Sequence, residues 1–135
     1  MPVKIILDTN FLLIPGQFRV DIFSELFRIC DFRYELCVLD RTVSELKGII
    51  ASGKGKDKAA ARLALQLIKA KKASILSSKT AMFKSVDEII LDLAAAKGRE
   101  SLIVATQDKF LKSRLRKLHT KLVVLRQKKY LKIED

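Results

Sequence analysis

In a chain with 27 Lys and Arg against 15 Asp and Glu, and a formal net charge of +12, four carboxylates occupy unusual places. Asp8 closes the apolar run "VKIIL", Asp108 follows "LIVAT" by two residues, Glu45 lies just after "CVLDRT", and Asp87 comes two residues after Ser85. Carboxylates held within a few ångströms of one another repel, and either protonation or a cation relieves the repulsion. Neither cysteine nor the single histidine, His119, is placed to join them. An oxygen-only cluster suits a hard divalent ion, Mg²⁺ or Mn²⁺. Beside basic surfaces, such an ion points to phosphodiester chemistry, because it activates a bound water and neutralises charge in the transition state.

Each acid also has a purely structural account. "TVSE" (Thr42 to Glu45) and "SVDE" (Ser85 to Glu88) match the S/T-x-x-E capping box. An acid in the first turn of a helix is favoured by the helix dipole. Asp108 fits the first turn of a helix capped by Thr106, and Asp8 fits an Asx-turn. Capping does not explain why Asp8 ends a core strand. Asp92 is an auxiliary candidate from the shoulder of the helix that carries Asp87, since Glu88 and Asp92 are four apart and share a face.

The elements that must position these acids alternate between strand and helix. "VKIIL", "YELCVL", "ASIL", "SLIVAT" and "KLVVLR" read as five short strands. "VDIFSELFRIC", "RTVSELKGII", "DKAAARLALQLIKAKK", "SVDEIILDLAAAKG" and "QDKFLKSRLRKL" read as helices, with Gly98 a C′ glycine. "SGKGK" from Ser52 to Lys56 reads as a flexible basic loop. Strands separated by helices imply a three-layer α/β/α sandwich around a central, mainly parallel sheet of about five strands. Ligands of such sheets gather beyond the carboxyl ends of the strands. Asp8 and Asp108 should emerge on that rim, and Glu45 and Asp87 sit where helix N-termini open onto it. The 135 residues suit one domain, residues 1–135, ending in a short basic C-terminal tail.

The basic excess falls in two blocks. No acid occurs between Lys109 and Lys132, and Asp57 is the only one between Lys47 and Lys72. Such fields attract polyanions with steep salt dependence, which makes nucleic acid the expected partner. Neither block has the wide, bulky apolar face of a membrane-surface helix. With no apolar run of membrane-spanning length and no secretory signal pattern at the N-terminus, a soluble cytoplasmic protein is expected. Cys30 and Cys37 match no zinc or redox spacing and read as two buried thiols, a bridge between them being the minor alternative. A single asparagine, no tryptophan and many lysines fit a thermophilic source weakly.

In order along the chain, "ILDTNFLL", "VLDRTVSELK", "SVDEIILDLA" and "LIVATQDKFLKSRLR" resemble the signatures of PIN-domain nucleases. "DTNF" and "ATQDKFLKSRLRK" resemble most the Fcf1/Utp24-like subgroup, whose eukaryotic members act in small-subunit ribosomal RNA maturation. VapC toxins are more distant relatives on the same fold. The resemblance implies an α/β/α sandwich and Mg²⁺- or Mn²⁺-dependent cleavage of single-stranded RNA by a water nucleophile. It maps the family's four acids onto Asp8, Glu45, Asp87 and Asp108, the polar residue after the first acid onto Thr9, and the hydroxyl before the fourth onto Thr106. Gln107 departs from the Asn of many relatives, and no zinc-binding segment is present.

On this reading Asn10 and Thr106 supply supporting hydrogen bonds, and Lys54, Lys56, Lys109, Lys112, Arg114, Arg116 and Lys117 grip the RNA backbone. The alternatives are a weakly active or non-catalytic RNA-binding module of ribosome assembly and a VapC-type toxin ribonuclease. A response-regulator receiver fits less well, because "VVLRQKK" offers no counterpart of its lysine. A homodimer and a pre-ribosomal particle are further expected assemblies, and Phe23, Leu26 and Phe27 read as core or dimer interface.

Overall fold

The computed structural model describes residues 2–81 and 83–135. Its centre is a six-stranded sheet of β1 (Val3–Leu7), β2 (Tyr34–Leu39), β3 (Ser74–Leu76), β4 (Leu102–Ala105), β5 (Lys121–Arg126) and β6 (Tyr130–Glu134), in the order β3-β2-β1-β4-β5-β6. The first five strands run parallel, and β6 returns antiparallel along β5. Both faces are covered, so the inner strands read as continuous apolar runs. Alternation still sorts their side chains: Ile5 and Leu7 enter one core and Ile6 the other.

Five helices cover the first face: α1 (Thr9–Leu12), α2 (Ile14–Phe18), α3 (Ile22–Ile29), α4 (Asp40–Ser52) and α5 (Gly55–Ala70). Two cover the second: α6 (Val86–Ala96) and α7 (Lys109–Lys117). The chain leaves β1 onto the first face and leaves the adjacent β4 onto the second. That divergence opens a crevice beyond their carboxyl ends, the topological switch point where such sheets bind ligands.

One helix pair departs from simple sheet-covering geometry. α4 starts at the carboxyl end of β2. The last turn of α5 reaches the amino end of that strand, where Lys71 and Tyr34 line one cavity of about 430 Å³. The two helices pack on each other as a hairpin. Their connection, Gly53 and Lys54, must therefore stand out beyond the carboxyl rim. α5 also packs closely on α2 at Gly16, where a Cβ would lie 2.5 Å from the Ala60 backbone.

Several expectations are corrected. The residues after β5 are a sixth strand and not a basic tail. Gln127 and Lys128 reverse the chain with φ of 53° and 55°, and the Lys129 amide donates to the Arg126 carbonyl at 3.0 Å. Such a turn favours Asn-Gly, so this sequence carried no turn signal. The outer edge of β6 is covered: Leu131 N–H donates to Glu25 Oε1 at 2.9 Å, and Arg28 donates to the Leu131 carbonyl at 3.2 Å. The "SGKGK" loop shrinks to Gly53 and Lys54, and Gly55 opens α5 with φ of +47°. Gly98 has no left-handed backbone, because α6 ends through an extended Lys97.

"TVSE" is not a capping box. α4 begins at Asp40, and Thr42 is buried with its hydroxyl unpartnered. Cys30 and Cys37 are both free and pack in opposite cores, so the sheet separates them. Phe23 and Leu26 are core, whereas Phe27 is 79% exposed. No helix of the described residues is long and apolar enough to cross a membrane.

Candidate active site

Four elements deliver one carboxylate each to the carboxyl rim. Asp8 ends β1 and caps α1, Glu45 rides on α4, Asp87 lies in the first turn of α6, and Asp108 is the N-cap of α7. Together with Thr9, Asn10, Leu13 and Val86 they line a single cavity of about 230 Å³. The four acids expected to converge do converge.

Asp8 is the buried member, 5% exposed. Its Oδ1 accepts the Thr9 amide at 2.9 Å, and its Oδ2 accepts the Thr106 hydroxyl at 2.7 Å. Burial pushes its pKa up to about 6. The two hydrogen bonds oppose that shift, and the nearby charges of Asp87 and Glu45 add to it. Burial also raises the pKa of Asp87, as do the charges of Asp108 and Glu45, with Arg114 pulling the other way. Burial is the larger cause in both, and like charge on the neighbouring carboxylates acts in the same direction.

Thr106 links the two central strands. Its hydroxyl donates to Asp8 and accepts the Asp108 amide at 3.1 Å. Asp108 Oδ1 then accepts the amides of Phe110 at 2.9 Å and Leu111 at 3.0 Å, as an N-cap side chain does. Asp108 therefore caps α7 itself, and Thr106 supports it from the strand side. Asn10 bonds to neither acid. Its Oδ1 accepts the Gln107 amide at 3.0 Å, and Gln107 Nε2 donates to the Asn10 carbonyl at 3.2 Å. Asn10 thus ties the loop after β4 to α1 and sets the spacing between Asp8 and Asp108. Thr9 holds Glu45 by a 2.5 Å hydrogen bond from its hydroxyl.

The acids fit a hard cation by donor type, since every polar side chain lining the cavity offers oxygen as its ligand atom. Among the described residues no salt bridge involves any of the four acids. Also among the described residues, no three Asp, Glu, His or Cys side chains stand close enough to hold an ion directly. Asp8, Glu45 and Asp108 already spend oxygens on Thr106, Thr9 and the α7 amides. The cavity has room for several waters at about 30 Å³ each, and water-mediated coordination is the usual habit of Mg²⁺.

Other expected residues fall elsewhere. Asp92 does not line the cavity; it lies exposed on α6 and pairs with Lys84. Arg116 is engaged by Glu134 at 2.8 Å, and Lys117 sits at the end of α7 away from the rim. Lys109 opens α7 at the rim, Lys54 lies in the protruding α4–α5 connection, and Lys56 belongs to the first turn of α5. Lys112 is half-buried and Arg114 exposed.

Two positioning residues escaped the sequence reading. Asp40 accepts the Ser78 amide at 3.1 Å and the Ser78 hydroxyl at 2.5 Å. Arg41 donates to the carbonyls of Ala81, at 2.6 Å, and Lys84. Together they fasten the segment that leads to Asp87. Only the adjacency of "DR" to the helix that carries Glu45 hinted at this.

Comparison with known proteins agrees with the geometry. A family model described as a PIN like domain matches residues 5–128. Ribonuclease VapC4 of Methanocaldococcus jannaschii is 39% identical over 132 residues, covering 96% of this chain and 95% of that protein. The structure of the PIN domain endonuclease Utp24 superposes with a TM-score of 0.77 at 24% identity, over 98% of this chain and 92% of that one. A domain of a functionally unknown protein from M. jannaschii superposes with a TM-score of 0.56 at 17% identity, over 92% and 91% of the two chains. Built on the PIN fold and matched along nearly its whole length, the chain belongs to the PIN-like domain family.

Proposed function

We propose that this protein is a divalent-metal-dependent endoribonuclease that hydrolyses phosphodiester bonds of single-stranded RNA. The observation that carries this reading is the gathering of Asp8, Glu45, Asp87 and Asp108 around one cavity at the switch point of the sheet. The 39% identical relative is itself named a ribonuclease.

Asp8, Asp87 and Asp108 would hold Mg²⁺ or Mn²⁺, which when bound supplies an activated water and charge neutralisation at the phosphate. Glu45, fixed by Thr9, orients the attacking water and takes up its proton. Thr106 keeps Asp8 aimed into the cavity, and Asn10 keeps the β1 and β4 ends in register. Lys109 at the mouth, Lys54 on the protruding connection and Lys56 in the first turn of α5 attract the RNA backbone. A rim cleft admits a splayed strand more readily than a rigid duplex.

Two substrate classes follow from the relatives. A ribosomal RNA precursor is favoured by the subgroup resemblance of "ATQDKFLKSRLRK", and a toxin-type target by the identity with VapC4.

The test is incubation with a mixed single-stranded RNA pool in Mg²⁺, Mn²⁺ or chelator, beside a variant carrying Asp8→Asn, Glu45→Gln, Asp87→Asn and Asp108→Asn. Cleavage is expected only from the intact protein with a divalent ion, while RNA binding persists in the variant. Cleavage that survives in the variant or in chelator overturns the assignment. Binding without cleavage under every condition leaves an RNA-binding module instead.

A further inference from the structure

We propose that Phe110 is a stacking platform that holds an RNA base at the mouth of the acid cavity. This rests on the ribonuclease reading and deepens it.

Phe110 follows Asp108 by two residues, in the first turn of α7. Its amide donates to Asp108 Oδ1, so the backbone that carries the ring is tied to one of the four acids. The ring is 80% exposed, whereas Leu111 and Leu115 of the same helix are fully buried in the second core. Phe110 therefore contributes almost nothing to packing. Phenylalanine is also only a middling helix former, so helix stability does not account for it.

Its direction follows from α7. Phe110 and Arg114 are four apart and share one helical face. Arg114 lies near enough to Asp87 for its charge to act on that carboxyl. The face carrying Phe110 and Arg114 is thus the one whose charge reaches Asp87 of α6, and it flanks the acid cavity without lining it. A second bare ring, Phe83, is 99% exposed and precedes Asp87 by four residues in the sequence.

The chemistry of the surroundings selects the occupant. Apart from the site acid Asp108, the sequence neighbours of Phe110 are basic or neutral, with Lys109 beside it, Arg114 one turn on and no acid from 109 to 132. A protein partner would need a contiguous apolar patch. Single-stranded nucleic acid instead brings a flat base for the ring and phosphates for the cations. Phe27 is a matched contrast: equally bare at 79% exposed, it lies at the other end of the fold beside Tyr34 and Lys71.

The chain contains no tryptophan, so a Phe110→Trp substitution introduces a single reporter of stacking. In an Asp8→Asn background, expected to bind without cutting, labelled oligoadenylate of about a dozen nucleotides should quench that emission as anisotropy reports binding. An abasic oligomer of equal length should bind and leave the emission unchanged, and Phe27→Trp should not respond to either. In the otherwise intact enzyme, Phe110→Ala should raise KM roughly 5- to 150-fold with kcat little changed, the range expected for losing one stacked base. Phe110→Tyr should restore KM, and Phe27→Ala should leave it alone. Saturating anisotropy with unchanged Phe110→Trp emission overturns the stacking role alone. No anisotropy change at any concentration overturns the ribonuclease reading with it.

Discussion

Two carboxylates, Asp8 and Glu134, show how differently one chain can treat the same group. Glu134, on the edge strand β6, accepts hydrogen bonds from Arg116 at 2.8 Å and Arg126 at 3.0 Å. The Arg116 hydrogen bond, with both guanidinium charges, holds its pKa below the ordinary carboxylate value. Asp8, at the end of the central strand β1, has no cation beside it and is pushed up to about 6. In a protein with twelve excess positive charges, pairing an acid is easy. Asp21, Glu25 and Asp40 have lowered pKa values because each is satisfied by donors. At the rim, by contrast, a buried acid, Asp8, sits beside the charges of Asp87 and Glu45. A fold is consistent with its sequence nearly everywhere and violates that consistency where it does chemistry.

The sharpest way to break the comparison is Asp8→Asn. The folded pKa of Asp8 is raised from 3.8 to about 6, so the fold prefers the protonated acid. Below pH 3.8 the group is protonated in both states and costs nothing. As pH rises, the unfolded chain ionises first, and stability is lost between pH 3.8 and about 6 and stays lost above that. Asn mimics the protonated acid and still accepts from Thr106. Asp8→Asn should therefore stabilise the apo protein at pH 7 by up to about 3 kcal/mol, and leave it unchanged at pH 3.5. Denaturant melts at the two pH values measure this. Cleavage by the same variant should fall at least about 10²-fold. Equal stability at both pH values would mean that Asp8 carries no strain.

Much of this contrast was visible in the sequence, and the reasons are physical. Asp8 was conspicuous because an acid at the end of "VKIIL" has no helix-capping motive strong enough to explain it. The parallel sheet was legible because strand and helix periods alternate without a break, and the rim followed from that topology. Glu134 was illegible: its partners are set by β6, and β6 hides behind a Gln-Lys turn that only the paired strands stabilise. Asn10 lines the cavity, but its partner is not foreseeable from the sequence. Its hydrogen bonds go to Gln107, 97 residues away, and depend on β1 and β4 lying side by side. The bare ring of Phe110 was missed because sequence periodicity rewards buried residues and says nothing about an exposed one.

Glu134→Gln tests the other half of the contrast, with a smaller effect of opposite sign. A lowered folded pKa contributes stability that is present above the unfolded value, near 4.5, and is lost as pH falls through the folded one. The pair is partly solvated, so Gln should destabilise by about 1 kcal/mol at neutral pH. The deficit should vanish in acid and shrink in high salt, as a thermal melt series shows. RNA cleavage should be unaffected, because Arg116 and Arg126 serve the edge strand and not the cavity. A large loss of cleavage would instead place β6 in the substrate path.

The smallest expected effect comes from two acids on one helix. Asp87 and Asp92 both lie on α6, five residues apart, but only Asp87 lines the cavity. A five-residue step turns an α-helix by about 140°, which carries Asp92 off the rim-facing side. There it meets Lys84, with both side chains about half exposed. Solvent screens such a pair, and breaking it costs at most about 0.5 kcal/mol. Asp92→Asn should therefore leave cleavage within about twofold of wild type and barely move the melting temperature, whereas Asp87→Asn should abolish cleavage. Activity assays of the two variants side by side decide between position and charge. If Asp92→Asn proved as damaging as Asp87→Asn, the negative field of α6 as a whole would matter, and the distinction between strained rim acids and satisfied surface acids would fail at its nearest pair.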